Sequence, residues 1–70
     1  MQLIINTYGT YVHVKDDLFE VSLTKDGEKQ KHHFASQKVT SILMSKGAAL
    51  STDAIILAMK NNIDIIVFEY

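Results

Sequence analysis

The stretch that decides the fold runs from Val39 to Tyr70. It reads Val39-Thr40-Ser41-Ile42-Leu43-Met44, then a turn at Lys46-Gly47 and a start signal at Ser51-Thr52-Asp53. Ala54 to Asn62 follow, and the stretch closes on Ile63-Asp64-Ile65-Ile66-Val67-Phe68. An apolar strand, a short capped helix and a second apolar strand are the expected elements. The Ser51 hydroxyl is placed to accept from the free N–H groups of the first turn. Asp53 suits the positive end of the helix dipole. Asn61-Asn62 is the stop, because asparagine tolerates the left-handed conformation that ends helices. Two such strands around a helix predict parallel pairing with a right-handed crossover. Ile42-Leu43-Met44 and Ile65-Ile66-Val67-Phe68 read as strands buried on both faces beneath a helix. The helix offers an apolar stripe of Ala54, Leu57 and Ala58, which Ile55 and Met59 extend.

Working back toward the start, the pattern changes from continuous to alternating. Residues 2–8 are apolar and β-branched, which reads as a first strand. Gly9 breaks it, and Thr10-Tyr11-Val12-His13-Val14-Lys15 resumes with Thr10, Val12 and Val14 on one face. So short a break predicts a tight hairpin or one bent strand. Asp16-Asp17 is a turn. In Leu18-Phe19-Glu20-Val21-Ser22-Leu23-Thr24, the residues Phe19, Val21 and Leu23 are expected inward and Glu20, Ser22 and Thr24 outward. Asp26-Gly27 calls for a type I′ hairpin, since both central residues need positive φ. The polar return strand, Glu28 to Phe34, reads as a sheet edge, and Ala35-Ser36-Gln37-Lys38 as a connection of about one helical turn. The fold class is therefore α+β: mainly antiparallel strands in hairpins, finished by a strand–helix–strand unit.

Seventy residues make one small domain, 1–70. A chain this short buries only about 60 % of its unfolded surface and leans on partner surfaces for stability. It has no cysteine, which fits a reducing compartment. Met1-Gln2-Leu3 does not open a signal peptide, and no apolar stretch approaches the ~20 residues that span a bilayer. A soluble, cytoplasmic protein without membrane attachment is expected. Seven lysines stand against eight acids, and arginine is absent. Proteins that grip nucleic acid alone are usually strongly basic, and arginine is the residue that forks onto phosphate or guanine. Autonomous sequence-specific DNA binding is thus disfavoured.

The candidate chemistries resolve into ordinary structure. His32-His33 together with His13 suggest a metal, but His32 and His33 are adjacent on a strand and point to opposite faces. The two therefore do not share one ion, and solvated strand histidines are the expected reading. Asp16-Asp17 lacks the oxygen count that calcium requires. Ser45-Lys46-Gly47 lacks the spacing of a phosphate-binding loop. No serine has a histidine placed by a readable motif. Catalytic residues: none; metal ligands: none. Tyr8 and Tyr11 sit where exposed rings stack on bases, with packing as the simpler alternative.

The order of these signals resembles the N-terminal β domain of the CRISPR spacer-acquisition integrase family. The matching parts are Leu3-Ile4-Ile5, the Tyr8-Gly9 turn, Tyr11-Val12-His13-Val14 and the Asp26-Gly27 hairpin. They continue through Ile42-Leu43-Met44, Gly47, the helix start Ser51-Thr52-Asp53-Ala54 and the strand Ile63 to Phe68. The resemblance covers essentially the whole chain. It implies a domain that helps build a homodimer and positions double-stranded or forked DNA. It also implies a second subunit of the CRISPR adaptation complex as a partner. The parent would be a metal-dependent DNA endonuclease using Mg or Mn, held by Glu, His and Asp in a helical domain beyond this one. No catalytic residue or cofactor carries over to this chain, and the abrupt close at Glu69-Tyr70 fits a fragment. The resemblance makes Tyr8, beside the first glycine turn, the DNA-contact candidate. Where many members place glycine before the last strand, this chain has Asn62. The alternative is a small non-catalytic interaction module that captures a partner along the edge Gln30 to Phe34 by strand addition.

Overall fold

The computed structural model describes residues 1–69; Tyr70, named above with the chain's close, lies outside them. Seven strands and one α-helix follow in the order β1 (Gln2–Ile5), β2 (Tyr11–Lys15), β3 (Leu18–Lys25), β4 (Glu28–Ala35), β5 (Ser41–Ser45), β6 (Ala49–Leu50), α1 (Thr52–Lys60) and β7 (Asp64–Phe68). A single 3-10 turn, Ser36–Lys38, leads from β4 toward β5. The strands form two sheets. One is wholly parallel, β1-β5-β7; the other runs β4-β3-β2-β6 and is antiparallel except for the short β2–β6 pairing. The α+β class holds, with antiparallel hairpins in one sheet and the β5–α1–β7 unit in the other.

Local chemistry explains most element boundaries. Asp16 and Asp17 both adopt positive φ, 52° and 61°, and Asp26 and Gly27 do the same at 53° and 78°. Each pair closes a two-residue hairpin whose twist matches its strands. Ser51 caps α1 by accepting from the Ala54 N–H at 3.1 Å, and Asn62, at φ 54°, turns the chain out of the helix. Ala54 and Ala58 are fully buried, so their small side chains let the helix backbone approach the sheets closely. Leu3 and Ile5, in register with Ile42 and Met44, point into one core with Val12, Phe19, Val21, Val39 and Ile63.

Four expectations need correction. The first strand is neither a hairpin partner of β2 nor continuous with it. It pairs in parallel with β5, and a tight turn from Thr7 to Thr10 passes the chain into the other sheet. Second, Ile66 and Val67 are 48 % and 69 % exposed. β7 is an edge strand, and α1 covers only part of it. Third, Ile55 and Met59 are exposed rather than part of the buried helix stripe, because only the Ala54, Leu57 and Ala58 side of the helix packs against the core. Fourth, Glu20 and Ser22 are buried on the outer face of their sheet, since neighbouring strands lay side chains over them. β6 was not foreseen; it exists because the Ala49 and Ser51 N–H groups donate to Thr10 and Val12 at 2.9 Å each.

Candidate nucleic-acid interface

Two glycine turns build the site around Tyr8. Gly9, at φ +83°, lets the chain reverse between β1 and β2. Its N–H donates to the Gly47 carbonyl at 3.0 Å, tying this turn to the one after β5. The Thr10 hydroxyl donates to the Thr7 carbonyl at 2.7 Å and closes the turn from within. Gly47 is at φ +93°, and the Tyr8 ring lies directly over it: a Cβ at Gly47 would stand 2.3 Å from Cδ2 of that ring. The absence of a side chain at Gly47 is therefore what lets the ring lie there.

The ring is supported from one side only, and Tyr8 is 87 % exposed. Tyr8, Ser45, Lys46 and Phe68 bound a small concavity beside it. Lys46 adds a solvent-facing cation there, its Nζ 3.7 Å from a Glu69 carboxylate oxygen. An exposed aromatic face with an ammonium group alongside suits a nucleobase and its phosphate, by stacking and by charge. The sequence singles out Tyr8 as a DNA-contact candidate, whereas Lys46 reads only as part of the Lys46-Gly47 turn and of a failed phosphate-loop match. The signal for Lys46 was its place next to Gly47, which has meaning only once the two glycine turns are known to meet.

A second cluster was not legible as a unit. His13, Glu20 and His33 stand in one cross-strand row on β2, β3 and β4. The His33 Nε2 donates to one Glu20 carboxylate oxygen at 2.7 Å, and the His13 Nε2 donates to the other. Lys31 approaches at 3.9 Å. These donors, the His13 hydrogen bond foremost and that of His33 next, lower the Glu20 carboxyl from its ordinary 4.5 to about 2. The Tyr11 ring packs edge-on against His13, centroids 5.1 Å apart. The cluster does not fit a metal. Both imidazole Nε2 atoms carry hydrogens spent on the carboxylate, leaving no converging lone pairs. Among the described residues no group of three or more His, Cys, Asp or Glu is arranged to hold an ion. His32 points the other way, lining a groove with Leu3, Ile4 and Phe34.

No helix among the described residues is long and apolar enough to cross a membrane. No curated protein sequence matches the chain. Among solved structures, a casposase bound to integration product is similar, with a TM-score of 0.72 and 20 % sequence identity. The match covers 96 % of this chain and 20 % of that one. At this identity the likeness shows the fold, and this chain spans about a fifth of the casposase chain's length. Residues 3–70 match the family model of the CRISPR associated protein Cas1. The chain therefore belongs to the CRISPR associated protein Cas1 family.

Proposed function

We propose that this domain dimerises and positions DNA for a CRISPR adaptation integrase, with Tyr8 stacking on the last base pair of a forked duplex. One observation carries the reading: Tyr8 is 87 % exposed yet set in place by its contact with Gly47. An aromatic ring left in water forgoes the stabilisation that burying its apolar surface would give. Here two interlocked turns hold it outward, which limits the freedom it loses on meeting a base. The outer face of the parallel sheet, where Ile4, Leu43 and Ile66 stand in one cross-strand row, supplies apolar surface for a homodimer partner. Metal-dependent nuclease and integrase chemistry, with Mg or Mn, belongs in this reading to a helical domain beyond this one. The setting is cytoplasmic, with a second adaptation-complex subunit as a further partner.

The experiment compares forked and blunt duplexes bound by the full-length protein and its Tyr8→Ala variant. Base–aromatic stacking is worth about 1–3 kcal/mol. The variant is therefore expected to bind forks about 5- to 150-fold more weakly and blunt duplex unchanged. Equal affinity for both substrates in wild type and variant alike would refute the role of Tyr8. The interaction-module alternative keeps one supporting observation, the eight-residue edge strand β4. Its lysines make that edge a poor template for strand addition.

A further inference from the structure

The formal charge of −1 hides a sided distribution. Side chains alternate across a strand, so the register sorts the charges of the four-stranded sheet by face. The contacts of His13, His33 and Lys31 with Glu20 fix all four to one face. The two-residue period carries Lys15 and Lys29 onto the same face, while Val12, Phe19 and Val21 take the core side. Three of the seven lysines and two of the three histidines therefore share one surface. Its single strand-borne acid, Glu20, is 2 % exposed with both oxygens occupied by imidazole N–H groups. Glu28 falls on the opposite side by the same alternation, and Asp16, Asp17 and Asp26 lie in the turns at the two ends. Solvent meets lysine, imidazole and the half-exposed Tyr11 ring.

From the row of Lys29 to the row of Lys15 the face runs three two-residue steps. That is ~20 Å, the length over which one strand of duplex DNA presents about six phosphates. Tyr8 precedes Tyr11 by three residues, and Tyr11 is in register with Lys31 across Ser22. The Tyr8 turn and the Lys29–Lys31 pair thus share one end of the sheet. We infer that this face is a second, sequence-independent contact surface for the phosphate backbone of duplex DNA, leading from the fork toward Lys15. The inference rests on the reading that Tyr8 meets a fork. Lysine serves such a surface as a mobile point charge, whereas base reading would call for arginine.

The test uses the full-length protein with Lys15, Lys29 and Lys31, all exposed, changed together to serine, and a second variant with all three changed to arginine. Blunt-duplex affinity is measured between ~50 and ~200 mM salt. Each lost phosphate contact lowers the salt slope by about 0.9, so losing two or three shrinks the affinity change over that range by roughly 10- to 40-fold. The arginine variant is expected to keep the wild-type slope. An unchanged slope in the serine variant, while Tyr8→Ala still weakens fork binding, would overturn this inference and leave the Tyr8 reading standing. Wild-type protein that binds neither duplex would overturn both. Loss of poly-glutamate binding with duplex affinity intact would assign the face to an acidic protein and overturn the proposal.

Discussion

Replacing Gly47 with alanine separates the backbone requirement from the ring contact, because two other glycines serve as references. At Gly47 the added Cβ would stand 2.3 Å from Cδ2, 2.7 Å from Cε2 and 3.3 Å from Cγ of Tyr8. Ordinary carbon contacts begin near 3.5 Å, so the ring must retreat by roughly an ångström or swing away. Tyr8 is exposed enough to do so at little steric cost. What remains is the backbone strain of alanine at φ +93°, about 1–2 kcal/mol. Gly27→Ala places the same residue at φ +78° with nothing within 4 Å of its Cβ, so it pays the same strain and touches no ring. A domain of this size is worth about 4–10 kcal/mol, so both variants stay folded. Urea denaturation is expected to show losses of about 1–2 kcal/mol in each. Only Gly47→Ala is expected to lose preference for forked over blunt duplex. Full fork preference in Gly47→Ala at that stability loss would refute the claim that this glycine holds the ring in place. So would an equal loss of preference in Gly27→Ala.

Further expectations follow from the caps and the buried carboxylate. Ser51→Ala removes the acceptor for the Ala54 N–H and is expected to cost about 0.5–2 kcal/mol in denaturation. Ser51→Asp is expected to restore most of it, and equal stability of all three proteins would contradict the cap. Glu20 binds its proton less readily in the folded chain, at about 2, than at its ordinary 4.5. The unfolded state therefore holds more protons across that window, and stability rises with pH through it. The Glu20 contribution is complete above about pH 4.5 and lost as pH falls toward 2. Acid titration of stability in the wild type and Glu20→Gln checks this. The variant is expected to lack that part of the slope, and superimposable curves would contradict it.

What could be read from the sequence was local chemistry. Asp16-Asp17 and Asp26-Gly27 specify their turns through backbone conformations that few residues accept. Ser51 and Asn62 bracket the helix for similar reasons. Long-range pairing was less visible. Leu3 and Ile5 alternate like a hairpin strand, and only the three-dimensional packing sets them beside Ile42 and Met44 in a parallel sheet. Continuous apolarity in Ile65–Phe68 was read as burial on both faces, yet an edge position leaves Ile66 and Val67 in water. Glu20 looked like a solvent residue because a lone carboxylate seldom enters a core. Its two imidazole partners come from strands whose register no local signal discloses. Tyr8 was found by its place beside Gly9. The contact with Gly47 that fixes it lies 39 positions away and emerged only from the fold.

The central claim is that Tyr8 stacks at a DNA fork, and a fluorescent base reports stacking directly. A forked duplex carrying 2-aminopurine in its last base pair would be bound by the full-length protein, with wild type, Tyr8→Ala and Tyr8→Phe compared at saturating protein. The account predicts a binding-induced change in fluorescence for wild type and Tyr8→Phe that Tyr8→Ala loses, since the ring and not the hydroxyl does the stacking. The same change in all three proteins would show that the base meets some other group, and would contradict the account.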